Sequence, residues 1–118
     1  MELQGQSKTD FEKWYCEVYN PNDKLVKEHY YFYVNDNFDN KKPSEKYGVI
    51  VDFADSVGYN ISVLPYWEGR YVRGFEPTIF KDGQEPITIF YNSDVFTTRK
   101  EARAAAITKF SELYNSKV

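Results

Sequence analysis

This 118-residue sequence predicts an α+β fold, and three observations carry the prediction. The last long segment, Thr97 to Asn115, has helical periodicity behind a helix-start signature. Ser44 to Val57 repeats that periodicity. Between them lie short runs of alternating aromatic and β-branched residues, punctuated by Glu68-Gly69 and Asp82-Gly83. The expected architecture is an N-terminal helix and strand, then a helix, a three-stranded antiparallel meander, and a C-terminal helix packed on the sheet. One domain spans residues 1–118.

Met1 to Lys8 is polar and reads as a disordered lead-in. Thr9 and Glu12 have the spacing of a capping box, and Phe11, Trp14, Tyr15 and Val18 follow on one helical face. Pro21 ends that helix. WYCEVY is also β-prone, but the cap and the spacing favour helix. Leu25 to Val34 reads as a strand, with Val26, Tyr30, Phe32 and Val34 on one face and His29, Tyr31 and Tyr33 on the other. Asn35 to Pro43 is a polar loop and the best candidate for mobility.

Ser44 caps the second helix in this reading. Tyr47, Ile50, Ala54 and Val57 form its apolar stripe, with Phe53 beside them, and Gly58 fits a left-handed C-cap. Gly48 and the β-branched run Val49-Ile50-Val51 argue for a strand. Asp52 and Asp55 on the far side look like a solvated helix surface, and helix is preferred.

The meander runs from Tyr59 to Tyr66, with Ile61 and Val63 on one face, then from Arg70 to Phe80. The second strand is expected to be irregular near Gly74 and Pro77. Ile87, Ile89 and Tyr91 alternate along the third strand. In the final helix, Thr98 and Glu101 form a capping box, and Ala102, Ala106, Phe110 and Leu113 make one stripe with Tyr114 at its edge. Arg99, Lys100 and Arg103 occupy the first turns, where the helix dipole disfavours each cation by about 0.3–1 kcal/mol. Either an anion offsets that cost or the three are a solvated face.

Composition narrows the function. The chain is aromatic-rich, with 11 Tyr, 9 Phe and 2 Trp; many tyrosines give large contact area with a polar tip, which suits a small core with wet edges and also suits a binding face. The net charge of −3 is too small to mark a nucleic-acid binder or mimic. It is uneven: from Thr97 onward five basic and two acidic residues give +3, leaving −6 for the remainder. One cysteine, Cys16, and one histidine, His29, leave no disulfide framework, no nucleophilic triad and no histidine-rich metal site. Asp52 and Asp55 lack further oxygen ligands for a hard cation. No catalytic residue, metal or cofactor is expected, and the chain reads as non-enzymatic. No signal peptide and no membrane-length apolar run is present, so the cytoplasm is the expected location.

Binding is the better class. Tyr66, Trp67 and Tyr71, with Arg70 and Arg73, flank the first hairpin. An aromatic and cationic patch of that kind is favoured at protein interfaces and can also stack unpaired bases. The alternative is an ordinary meander covering its own core.

Two resemblances bear on this. The order helix, three strands, helix, closing on TRKEARAAA, resembles a double-stranded-RNA-binding domain. That family's last helix opens on K-K-x-A-K, whose basic residues meet phosphates. Arg99, Lys100, Ala102 and Arg103 match it, with arginine for two lysines. The G-P-x-H loop is replaced here by Tyr66-Trp67-Glu68-Gly69, and Glu45, Asp52 and Asp55 stand on the first helix. A broader resemblance is to small uncharacterised proteins of phages and prophages of bacteroidete hosts. It rests on Trp14-Tyr15, Gly48-Val49, Phe53, Asp55-Ser56, Gly58, Thr98-Arg99 and Glu101-Ala102, and the aromatic Leu25–Val34 segment departs from it. It implies a mobile-element accessory protein and carries no activity to transfer; together with the aromatic patch, the expected function is binding of a host or phage protein. The first resemblance implies nucleic acid as the alternative partner, held through Arg99, Lys100 and Arg103. No membrane partner is expected.

Overall fold

The computed structural model describes residues 3–19, 38–92 and 94–116. The predicted strand Leu25–Val34, with His29, lies outside them. Three helices and three antiparallel strands follow in the order α1 (Gly5–Tyr19), α2 (Pro43–Ser56), β1 (Tyr59–Glu68), β2 (Tyr71–Lys81), β3 (Ile87–Thr88), α3 (Arg99–Asn115). The sheet order is β1-β2-β3, and the architecture is α+β.

Helix α3 starts as its sequence dictates. Thr98 is the N-cap, and its hydroxyl oxygen accepts from the Glu101 N–H at 3.2 Å. The return contact differs from the expected one: the Thr98 hydroxyl donates to Glu101 Oε1 at 3.1 Å. Ala102, Ala106 and Phe110 are buried as the stripe predicts, and so are Ile107 and Ser111. The alanines let the helix sit close to β1 and β2, and α2 lies beside it on β1. Helix α1 touches α2 and α3 and, among the described residues, no strand.

Phe53 is the hub where the helices meet. Its ring contacts those of Phe11, Trp14, Phe110 and Tyr114, with centroids 5.5–6.1 Å apart. Phe110 reaches on to Tyr59 of the sheet at 5.3 Å.

The start of α1 corrects two expectations. The helix begins four residues before Thr9, so part of the segment read as a disordered lead-in is helical. Thr9 is not its cap, because its hydroxyl donates backward to the Gly5 carbonyl at 3.4 Å from inside the helix. The actual cap comes from the other end of the chain. Asn115 Oδ1 accepts from the Ser7 N–H at 2.8 Å, and Asn115 Nδ2 donates to the Gln4 carbonyl at 2.8 Å. Ser111 Oγ accepts from the Gln4 N–H at 3.0 Å and pairs with Ser7 Oγ at 2.7 Å. These bonds satisfy helix-start donors that local side chains leave open. The buried face is Ser7, Phe11, Tyr15 and Cys16, and Val18, expected on it, is exposed.

Helix α2 opens at Pro43, with Lys42 as N-cap and no side-chain cap bond, so Ser44 is not the cap. Proline's fixed φ and missing N–H suit the first helical position. Gly58 takes φ +90° after Val57 and closes the helix as predicted, its N–H donating to the Asp55 carbonyl at 3.2 Å. Ahead of α2, Phe38 in the expected mobile loop is buried against Phe11 and Tyr15.

In the sheet, Tyr59 pairs Lys81 and the ladder runs unbroken to Tyr66–Gly74. The next pair is Trp67–Val72, so Arg73 is a bulge. The predicted irregularity at Gly74 is therefore one residue away, and Pro77 sits within the ladder opposite Val63. β3 is shorter than the sequence suggested, because the chain turns back after it. Phe96 then takes the place beside β2, exchanging two backbone bonds with Phe75 at 2.8 and 3.0 Å. This approach is why residue 74 is glycine: a Cβ there would overlap the Phe96 carbonyl oxygen and the Val95 side chain.

Candidate functional site

Paired residues share a face of the sheet, which sorts the hairpin. Tyr59, Ile61 and Ile79 point to the helices and are buried. Leu64, Tyr66 and Glu68 of β1 lie on the opposite face, and Tyr71, paired with Glu68, joins them. Trp67 pairs with Val72 on the helix-facing side, in the stretch beyond the buried core. The predicted patch of Tyr66, Trp67 and Tyr71 is thus divided between two faces, and all three are exposed: Tyr71 by 80%, Trp67 by 58%, Tyr66 by 39%. Arg70 is exposed in the turn.

Arg73 is not a free cation. Its Nη2 pairs with Asp94 Oδ2 at 2.7 Å and its Nε with Glu68 Oε2 at 3.5 Å. It ties the bulge to the loop before α3. Sequence reasoning missed Leu64 and Phe80, both exposed on the open side. Alternation from Ile61 and Val63, which share one face, already placed Leu64 on the other. Phe90 and Tyr91 after β3 are exposed too.

The basic start of α3 is a second locus. The Arg99 guanidinium lies over the Phe75 ring at 5.0 Å, and that of Arg103 over Tyr47 at 4.9 Å. Ring faces attract cations, which offsets the unfavourable dipole at these positions. Burial raises the Tyr47 phenol, and the Arg103 charge partly opposes that. Arg103 and Lys100 line a cleft of ≈ 390 Å³ with Lys42, Pro43 and Ser44.

Cys16 is fully buried, and desolvation, aided by Glu12 and Glu17, pushes its thiol up to about 11. A thiol so placed is a poor nucleophile. Burial also raises the Glu12 carboxyl. Among the described residues no group of three or more His, Cys, Asp or Glu is disposed to hold a metal, and no helix is long and apolar enough to cross a membrane. No protein-family model, no curated protein and no solved structure matches this chain.

Proposed function

We propose that this chain is a non-enzymatic accessory protein of phage or prophage origin that binds a host or phage protein in the cytosol. The uncovered side of the β1–β2 hairpin is its docking surface. The observation that carries this is the grouping of Leu64, Tyr66 and Tyr71 on one exposed face, away from the helices. Aromatic and apolar side chains so presented are costly to leave in water and are enriched where proteins meet. Rim charge from Arg70 and Glu68 suits such a surface.

The test is site-specific photo-crosslinking in bacteroidete host lysate, with and without nuclease. A photo-reactive residue at Tyr71 is expected to capture a protein that the same residue at Asp52, exposed on α2, does not capture. Equal capture at both positions removes this reading. Adducts that vanish on nuclease treatment favour the nucleic-acid alternative.

A further inference from the structure

We propose that the partner segment received by the open face of the β1–β2 hairpin is arginine-rich. This deepens the docking reading above and rests on it. From Tyr59 to Phe96 the chain carries five acidic and three basic residues, and the fold leaves little positive charge on the open face. Lys81 pairs with Tyr59 and so lies on the helix-facing side, with its Nζ over the Tyr59 ring at 4.6 Å. Arg73 is held between Asp94 and Glu68. Arg70 stands in the turn at the far tip.

The carboxylates are placed differently. Glu76 pairs with Leu64, which puts it on the open face, half-buried in the middle strand of the sheet. Asp82 is exposed in the turn that follows β2, two residues beyond Phe80. Among the described residues neither carboxylate pairs with a cation. A carboxylate partly withdrawn from water gains more from an incoming cation than a fully solvated one.

Rings share this face. Tyr66, Tyr71 and Phe80 are all exposed on it. A guanidinium can stack on a ring and pair with a carboxylate in its own plane, whereas an ammonium is a point charge. Rings interspersed with unpaired carboxylates therefore select arginine over neutral or acidic partners.

The end of the face at Phe80 forms a pocket for one such side chain. A cleft of ≈ 210 Å³ is lined by Phe80, Asn60 and Asp82 of the sheet and by Asp55 and Gly58 at the end of α2. The last turn of α2 holds no basic residue, although the negative end of a helix dipole favours one. Asp55 adds its own charge there. A cation from the partner supplies what the chain itself omits, and the volume admits a guanidinium with its stem.

The experiment is ¹H–¹⁵N NMR of the full chain, titrated at constant ionic strength with three probes. These are a short peptide alternating arginine with glycine, the same peptide with citrulline for arginine, and a thymidine oligonucleotide. Saturable shifts are expected at the Glu76, Phe80 and Asp82 amides with the arginine peptide and with neither of the others. Glu76→Gln with Asp82→Asn is expected to weaken that binding about tenfold or more. Asn-Gly serves a hairpin turn as well as Asp-Gly, so the turn is kept. Glu45→Gln with Asp52→Asn removes the same charge from exposed positions of α2 and is expected to leave the binding unchanged. Equal binding of the citrulline peptide, oligonucleotide shifts at the same amides, or equal loss in the two double variants overturns the proposal. So does an arginine peptide that leaves these amides unmoved. If photo-crosslinking at Tyr71 still captures a protein in that case, the docking surface stands and its partner is not basic.

Discussion

The two halves of β1 obey different rules. From Tyr59 to Val63 alternate residues turn inward, and Tyr59 and Ile61 are buried under the helices. From Leu64 to Glu68 every residue is exposed, although the backbone ladder to β2 continues. Strand geometry is therefore common to both halves, while the energetics are not. The proximal half is held by apolar burial under α2 and α3. The distal half is held by its ladder, its turn and the exposed Arg73 clamp, and exposed ion pairs contribute only about 0–1 kcal/mol. Side chains in the distal half are consequently free of packing duty.

The strongest way to break the proximal half is Phe110→Ala. Phe110 is fully buried and joins Phe53 and Tyr114 to Tyr59 of the sheet. A loss of about 3–5 kcal/mol is expected in denaturant unfolding. A neutral result means that the helix layer does not hold the sheet through this ring. Gly74→Ala strikes the junction between the halves, where a Cβ meets the Phe96 carbonyl oxygen. The expected cost is about 1–3 kcal/mol, with faster amide exchange at Phe75 and Phe96. Unchanged exchange there contradicts the tight approach.

Thr98→Ala removes the cap of α3 and with it the bond to the Glu101 N–H. About 0.5–2 kcal/mol is expected, and an unshifted melt removes the proposed helix start. Tyr114→Phe is smaller still. The Tyr114 hydroxyl donates to Asp10 Oδ2 at 2.5 Å, joining α3 to α1, and its loss costs about 1 kcal/mol. That hydrogen bond, with burial adding to it, raises the phenol from an ordinary 10.0 to about 12. A pKa raised by folding means that the stabilisation is complete below pH 10 and is lost as pH climbs through 12. The wild type should lose stability across that window more steeply than the variant. Parallel pH profiles contradict the assignment.

Legibility followed the same divide. Helix α3, its cap and its Ala102–Ala106–Phe110 stripe were readable because each depends on neighbours within a turn or two. The two turns of the meander and the end of α2 at Gly58 were readable for the same reason. The start of α1 was not, because its cap is Asn115, more than a hundred residues along the chain. A local search finds Thr9 and Glu12, which have the right spacing but sit inside the helix. Pro43 beside Ser44 hid the start of α2, since both residue types are helix-start signals and only one is the N-cap's neighbour. In the candidate site, the sequence singled out Tyr66, Trp67 and Tyr71 but left open whether they face solvent or cover the meander's own core; all three are exposed. Their division between two faces was not legible, nor was the neutralisation of Arg73, which needs Asp94 brought back by the turn after β3. The unusual cations of α3 were noticed in the sequence, but Phe75 and Tyr47, which receive Arg99 and Arg103, come from other elements.

The distal half yields the smallest expected effect on stability and sharpens the comparison most. Tyr71 and Trp67 are exposed by 80% and 58%, and no ring contact involves either among the described residues. Surface changes away from caps, cores and special backbone conformations fall within about ±0.5 kcal/mol. Tyr71→Ser with Trp67→Ser is therefore expected to leave the unfolding midpoint nearly in place. Serine weakens strand preference somewhat, by a fraction of the roughly 1 kcal/mol span of that scale, so Tyr71→Thr with Trp67→Thr is the matched control that retains it. Both variants should melt with the wild type while losing whatever the hairpin binds. A large drop in stability in both would show that these rings serve the fold, and the contrast between the two halves of β1 would then collapse.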